Sequence, residues 1–184
     1  MNYTVICILA IAVTQCTFAG EEGIAFQETK FFHRWSKENQ HEFTPEGQED
    51  LARWTAMITV NLFPTVKTGE DLATAANNLL ELYEQVGGIV LRTVSKPKTA
   101  DKEAEHFIAV ALPQKGFMEI AFARLVIAGG DACSIVYSHR ITGEDGGEKA
   151  GTWLQEHAMD YEDTLMKLNV PEALSLAKAS RKQP

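Results

Sequence analysis

The sequence predicts an α+β domain, a mainly antiparallel sheet of about six or seven strands packed with two main helices. Three observations carry this reading. Between residues 105 and 142, strand-like runs follow one another across short Gly-containing connections, the pattern of antiparallel hairpins. Residues 69–86 and 149–168 instead repeat apolar side chains at helical spacing. Read in order, the elements run β-β-β-α-β-β-β-β-α, and sequential strands with tight turns imply a sheet onto whose faces the helices pack.

Residues 21–27 form a short acidic lead-in, and 29–35 (TKFFHRW) have the aromatic-rich composition of a strand. Residues 36–40 are a polar turn, 41–44 return as a second short strand, and Pro45-Glu46-Gly47 breaks it. A helical turn at 49–54 precedes 56–63 (AMITVNLF), where apolar and polar residues alternate until Pro64. Thr68-Gly69-Glu70-Asp71 resembles a capping box, with Thr68 as N-cap and Asp71 reaching back from the third helical position. Leu72, Ala75/Ala76, Leu79, Tyr83 and Val86 then form an apolar stripe, stopped by Gly87-Gly88. Residues 89–95 read as a strand and 96–104 as a charged loop. Strands 105–112, 117–127 and 132–142 follow, then the solvated loop 143–148. The helix at 149–168 places Trp153, Leu154, His157, Tyr161, Leu165 and Leu168 on one side, and after Pro171 residues 172–179 add a last turn or two.

Residues 1–20 contain no Asp, Glu, Lys or Arg, and an apolar run from Val5 to Val13 leads to Thr17-Phe18-Ala19. That layout predicts a secretory signal peptide over 1–20, with small residues at the positions that precede cleavage. The expected domains are therefore the signal peptide, 1–20, and one globular domain, 21–184. The apolar run is shorter than the roughly 20 residues a membrane-spanning helix needs, so no transmembrane anchor is expected. Cys16 offers a lipid anchor as the lesser alternative, for which Val13-Thr14-Gln15 is a poor match.

The formal charge of −8 is unsuited to nucleic acid and favours a basic partner. Only Cys133 lies outside the leader, so no internal disulfide or thiolate-rich metal site is expected, and Cys133 reads as a small buried hydrophobe. The five histidines form no His-x-x-x-His or His-Glu-x-x-His pair. No Gly-x-Ser-x-Gly elbow or phosphate loop is present, so no catalytic residue, metal or cofactor is assigned.

The hairpins suggest one cluster. Pairing 112 with 117 sets His106 opposite Ala123 and Val110 opposite Glu119; pairing 127 with 132 sets Ala121 opposite Ser138 and Glu119 opposite Arg140. One sheet face then mixes apolar residues with His106, Glu119, Ser134, Ser138 and Arg140, and His106, Glu119, Ser138 and Arg140 become candidate ligand-binding residues. The alternative is a helix lying over this face, leaving Glu119–Arg140 as a cross-strand ion pair worth about 0.2–1 kcal/mol. Trp35 and Trp54 flank the polar segment 36–53 and are candidate partner-binding residues, with packing as the other role; Trp153 reads as core.

Over residues 29–168 this order of elements resembles the PsbP-like sandwich, the fold of a photosystem extrinsic subunit and of many small exported bacterial proteins. The resemblance is of architecture, with no motif, so it transfers no functional residue; it implies scaffold, assembly or binding roles more than catalysis. The expected function is thus an exported, non-catalytic protein that binds another protein of the cell envelope or outside the cell, as an accessory, assembly factor or inhibitor. Its expected location is periplasmic or secreted. The alternative is a small-ligand carrier or hydrolytic enzyme, with Arg140 pairing an anionic ligand group, Glu119 orienting Arg140 or accepting protons, and His106 as acid or base.

Overall fold

Among the described residues, eight strands join one antiparallel sheet and three helices pack on its two faces. The computed structural model describes residues 22–143 and 145–180. The strands are β1 (Gly23–Phe26), β2 (Thr29–Lys37), β3 (Gln40–Pro45), β4 (Ala56–Leu62), β5 (Ile89–Lys96), β6 (Glu105–Gln114), β7 (Phe117–Ala128) and β8 (Asp131–Thr142). The helices are α1 (Gly69–Gln85), α2 (Gly146–Lys167) and α3 (Val170–Ser180). Strand order across the sheet is β1-β2-β3-β4-β8-β7-β6-β5.

The α+β class and antiparallel sheet hold, whereas the expected six or seven strands and two main helices become eight and three. The added strand, β1, lies inside the stretch read as an acidic lead-in. Four residues are too few to display alternation, yet Ile24 and Phe26 are buried against β2 and the helices. The third helix begins at Val170, so Pro171 falls in its first turn, where a missing N–H costs nothing, and α3 buries Val170, Ala173, Leu174 and Ala177.

Register follows turn chemistry. Gly129 and Gly130, both at positive φ, close the β7–β8 hairpin and pair Ile127 with Ala132 and Glu119 with Arg140, as expected. The β6–β7 turn is tighter than read: β6 runs on through Pro113 and Gln114, and Lys115-Gly116 alone make the turn. Pairing shifts by two residues, which keeps every side chain on its expected face but sets His106 opposite Leu125 and Leu112 opposite Glu119.

The capping box forms. Thr68 Oγ1 accepts from the Asp71 N–H at 3.1 Å, and Asp71 Oδ2 accepts from the Thr68 N–H at 3.0 Å. The side chain also accepts from the Lys67 N–H, and these bonds hold the Asp71 carboxyl below its usual range.

Alternation divides the core in two. One face gathers Phe31, Phe43, Ile58, Phe107, Ile120, Phe122, Ile135 and Tyr137 beneath α2 and α3. The other gathers Ile108, Val110, Ala121, Ala123, Leu125 and Val136 beneath α1. Helices α2 and α3 reach β7, β8, β4, β2 and β1, whereas α1 lies mainly over β5, β6 and β7. On the α1 face a groove stays open between α1 and β2. Cys133 is buried under the fuller layer, and burial pushes its thiol up to about 12.

Candidate functional site

The uncovered half of the α1 face begins with an irregularity in β2. His33 pairs with Phe43, but Trp35, not Arg34, pairs with Glu42. One extra residue in a ladder inverts the alternation beyond it. Paired residues share a face, and Trp35 pairs with Glu42, Glu42 with Thr59, Thr59 with Val136 and Val136 with Ala123. Val136 and Ala123 belong to the core beneath α1, so the bulge delivers Trp35 to the α1 side. Arg34 braces it from outside the ladder, donating to Thr44 Oγ1 at 3.1 Å, the Pro45 carbonyl at 3.2 Å and Glu49 at 3.2 Å.

Between this strand and α1 runs a groove of about 700 Å³. Its floor includes Asn61 and Ser134, whose side chains hydrogen-bond across β4 and β8 at 3.1 Å. The α1 wall contributes Ala75, Asn78, Leu79 and Leu82; the opposite wall contributes Trp35, Lys37 and Gln40. Trp35 is 38% exposed and Leu82 53% exposed, so two large apolar side chains face one opening. Between them lie carboxamides, which donate and accept, and the lining's charged residues, Lys37 and Glu38, balance in sign. This is a surface for contact, with apolar anchors and neutral hydrogen-bonding groups.

The residues singled out from sequence separate into three places. Trp35 lies in the groove. Trp54 is buried at 6% exposure, its ring 3.7 Å from the Arg140 guanidinium, which also lies 4.5 Å from the Phe117 ring and donates to the Ala52 carbonyl at 3.3 Å. Glu119 stands opposite Arg140, and burial raises its carboxyl despite a Ser138 hydrogen bond and the Arg140 charge. Burial in turn lowers Arg140, against the pull of Glu119 and Glu42. Glu119, Ser138, Arg140 and Trp54 are therefore one packed cluster. His106 stands elsewhere: it is six residues along β6 from Leu112, the partner of Glu119, about 20 Å of strand. Its Nδ1 pairs with Ser95 Oγ at 3.0 Å, and burial lowers its pKa.

Sequence reasoning missed Leu82, Asn61, Asn78 and Gln40. Leu82 carried a signal, since it lies seven residues after Ala75 and three after Leu79, widening the α1 stripe beyond what the sheet buries. The others carried none, because exposed carboxamides are common and only the fold brings them together. Among the described residues no group of His, Cys, Asp and Glu is arranged to hold a metal ion.

Fold and groove together define a single-sheet α+β protein with one half-open face. No protein-family model matches the chain, and no curated protein sequence does. Among solved structures it is similar to the Saccharomyces cerevisiae Ran-binding protein Mog1p, at 14% identity and TM-score 0.43, over 66% of this chain and 73% of that one. It is also similar to a mutant Mog1 protein, at 13% identity and TM-score 0.44, again over 66% and 73%. These matches correct the resemblance drawn from element order, which was to the PsbP-like sandwich. The expected periplasmic or secreted location finds no support in these matches either. The expected signal peptide, and Cys16 with it, falls outside the described residues. No helix among the described residues is long and apolar enough to cross a membrane.

Proposed function

We propose that this chain is a non-catalytic protein-binding module and that its partner seats in the groove between α1 and β2. The observation that supports this is the pairing of exposed Trp35 and Leu82 across one opening, beside the described helix α1. Apolar side chains gathered in a groove are the usual anchors of a protein interface, and Trp is enriched among such anchors. The solved proteins of similar fold are named for binding another protein, Ran. The placement of His106 away from Glu119, and of α1 over Ile108, Val110 and Ala121, favours this reading over ligand chemistry on the same face.

A site-specific photo-crosslinker tests it. The reactive group is placed at Leu82 in one variant and in another at Met159, which is 84% exposed on α2 on the opposite face. In cells, a discrete protein adduct from position 82 and none from 159 is expected. Equal labelling from both positions, or none from 82, overturns the proposal.

A further inference from the structure

The sheet finishes its two edges differently. At one end stands β1, four residues long, three of them buried, with α3 packed against it. At the other stands β5, eight residues long, seven of them exposed. β5 pairs with β6 on one side and, among the described residues, with no strand on the other. An open edge presents a row of backbone N–H and C=O groups whose complement is another strand.

Proteins guard such an edge with brevity, proline, charge, a bulge or a covering element. β5 is long, and Pro97 comes only after it ends. Its two cations are drawn off the edge by their partners: Arg92 pairs with Glu162 of α2 at 3.2 Å, and Lys96 with Glu105 of β6 at 3.7 Å. The ladder to β6 passes over Leu91, a bulge that leaves this side chain 42% exposed instead of withdrawing it. Val86, Ile89, Val90 and Leu91 are four of the seven exposed large apolar side chains among the described residues, and they fall within six consecutive residues that carry no charge.

Charge selects the strand that completes this edge. Glu81 and Glu84 precede the apolar segment, and Lys96, Lys98 and Lys102 follow it. Helical spacing turns Leu72, Ala76 and Tyr83 toward the sheet and Asn78 and Leu82 toward the groove, which leaves Glu84 on the β5 flank of α1 and Glu81 on its outer surface. Neither acid enters an ion pair among the described residues. The edge is thus acidic at its start and basic at its end. A copy laid antiparallel reverses this polarity, so each acidic end meets a basic end.

We infer that two copies of this chain associate through β5, the two strands antiparallel about a two-fold axis near Leu91 and Thr93, so that the two sheets become one. Such pairing is isologous and closes at two. The edges left at the ends of the joined sheet are the two β1 strands, which are short and packed by α3. The groove lies on the other flank of α1, so this inference does not rest on the binding function above.

Sedimentation velocity of the full chain over a concentration series tests it. A reversible monomer–dimer equilibrium is expected, weakened by about tenfold or more in Ile89→Lys/Leu91→Lys and unchanged in Leu82→Glu. Residues facing each other across an antiparallel pair have Cα atoms about 4.5–5.5 Å apart, within reach of a disulfide. Mild oxidation should therefore join Leu91→Cys or Thr93→Cys chains into a covalent dimer and leave Met159→Cys chains single, the native Cys133 being buried. A chain that stays monomeric up to its solubility limit overturns the inference, as does a dimer indifferent to Ile89→Lys/Leu91→Lys or one that Leu82→Glu dissolves. Crosslinking at 91 and 93 no better than at 159 overturns the antiparallel pairing. Circular dichroism and a retained cooperative melt identify each variant as folded.

Discussion

The two faces of this sheet are built from the same strands and finished differently. Beneath α2 and α3, Arg124 and His139 are engaged internally. Arg124 on that face pairs with Glu105 at 2.5 Å and donates to the Leu165 and Leu168 carbonyls at 2.9 and 3.2 Å, closing the C-terminal end of α2. His139 stacks on Trp153 at 4.5 Å between ring centres, with His157 and Tyr161 against the same indole. On the α1 face the polar groups beyond β8 point into a groove instead, and the apolar groups that accompany them stay wet. A face with two helices is finished as core, whereas a face with one helix keeps an open groove.

The comparison breaks most readily at its apolar residues. Phe122, buried beneath α2 at 2% exposure, should cost about 3–5 kcal/mol on truncation to Ala, read from urea unfolding. Leu82→Ala should fall within about 0.5 kcal/mol of the parent, because its side chain has little packing to lose. Comparable losses at the two sites would show that the α1 face is as closed as the other.

Next in size is Arg124→Met. The substitution keeps an apolar stem but removes the ion pair and both helix-end bonds, leaving Glu105 and two carbonyls short of a donor. A loss of about 2–3 kcal/mol is expected. Amide exchange should rise first in the last turn of α2, whereas uniform exchange throughout the helix would show that Arg124 acts on the sheet alone.

Much of this architecture was legible in the sequence because its signals are local. The α1 cap lies within four residues, and the Gly129-Gly130 turn fixes the β7–β8 register by its own geometry. The β6–β7 register was not legible, because Pro113 reads as an end although it still pairs in the ladder, opposite Met118. β1 was missed for want of length, and α3 because Pro171 signals a break as readily as a first turn. The groove was half legible. Trp35 stood out by type, but its face depends on the bulge at Arg34, and a bulge leaves no mark in a pattern of alternating residues. The role of Arg124 was not legible either, since its partners on α2 are forty-one and forty-four residues away.

Acid should act on the closed face more than on the open one. Burial lowers the His139 pKa below 6.5, and the nearby His157 lowers it further. The unfolded chain therefore takes up the proton first, so stability is present above about pH 6.5 and is lost as pH falls through and below that value. His33 and His106 are lowered by burial as well and add in the same direction. Glu119 acts oppositely: its carboxyl is raised, so its contribution is present below 4.5 and lost as pH rises through its folded value. His139→Phe keeps a ring against Trp153 and removes the titrating group, and should flatten the fall in melting temperature between pH 7 and pH 5. An unchanged pH profile would move the acid sensitivity away from α2 and onto the remaining histidines.

The smallest expected effect separates stability from binding. Trp35→Ala removes the largest side chain of the groove, yet the ring is more than one-third exposed and its part of β2 is held by the ladder to β3. The change in unfolding free energy should be within about 0.5 kcal/mol. The protein crosslinked from position 82 should nevertheless lose affinity by tenfold or more, because an aromatic anchor at an interface typically contributes at least about 1–2 kcal/mol. A large stability loss with no change in affinity would make Trp35 a packing residue and close the comparison, since both faces would then be core. A large affinity loss at constant stability would keep the faces distinct and locate the difference at the Arg34 bulge that turned the ring outward.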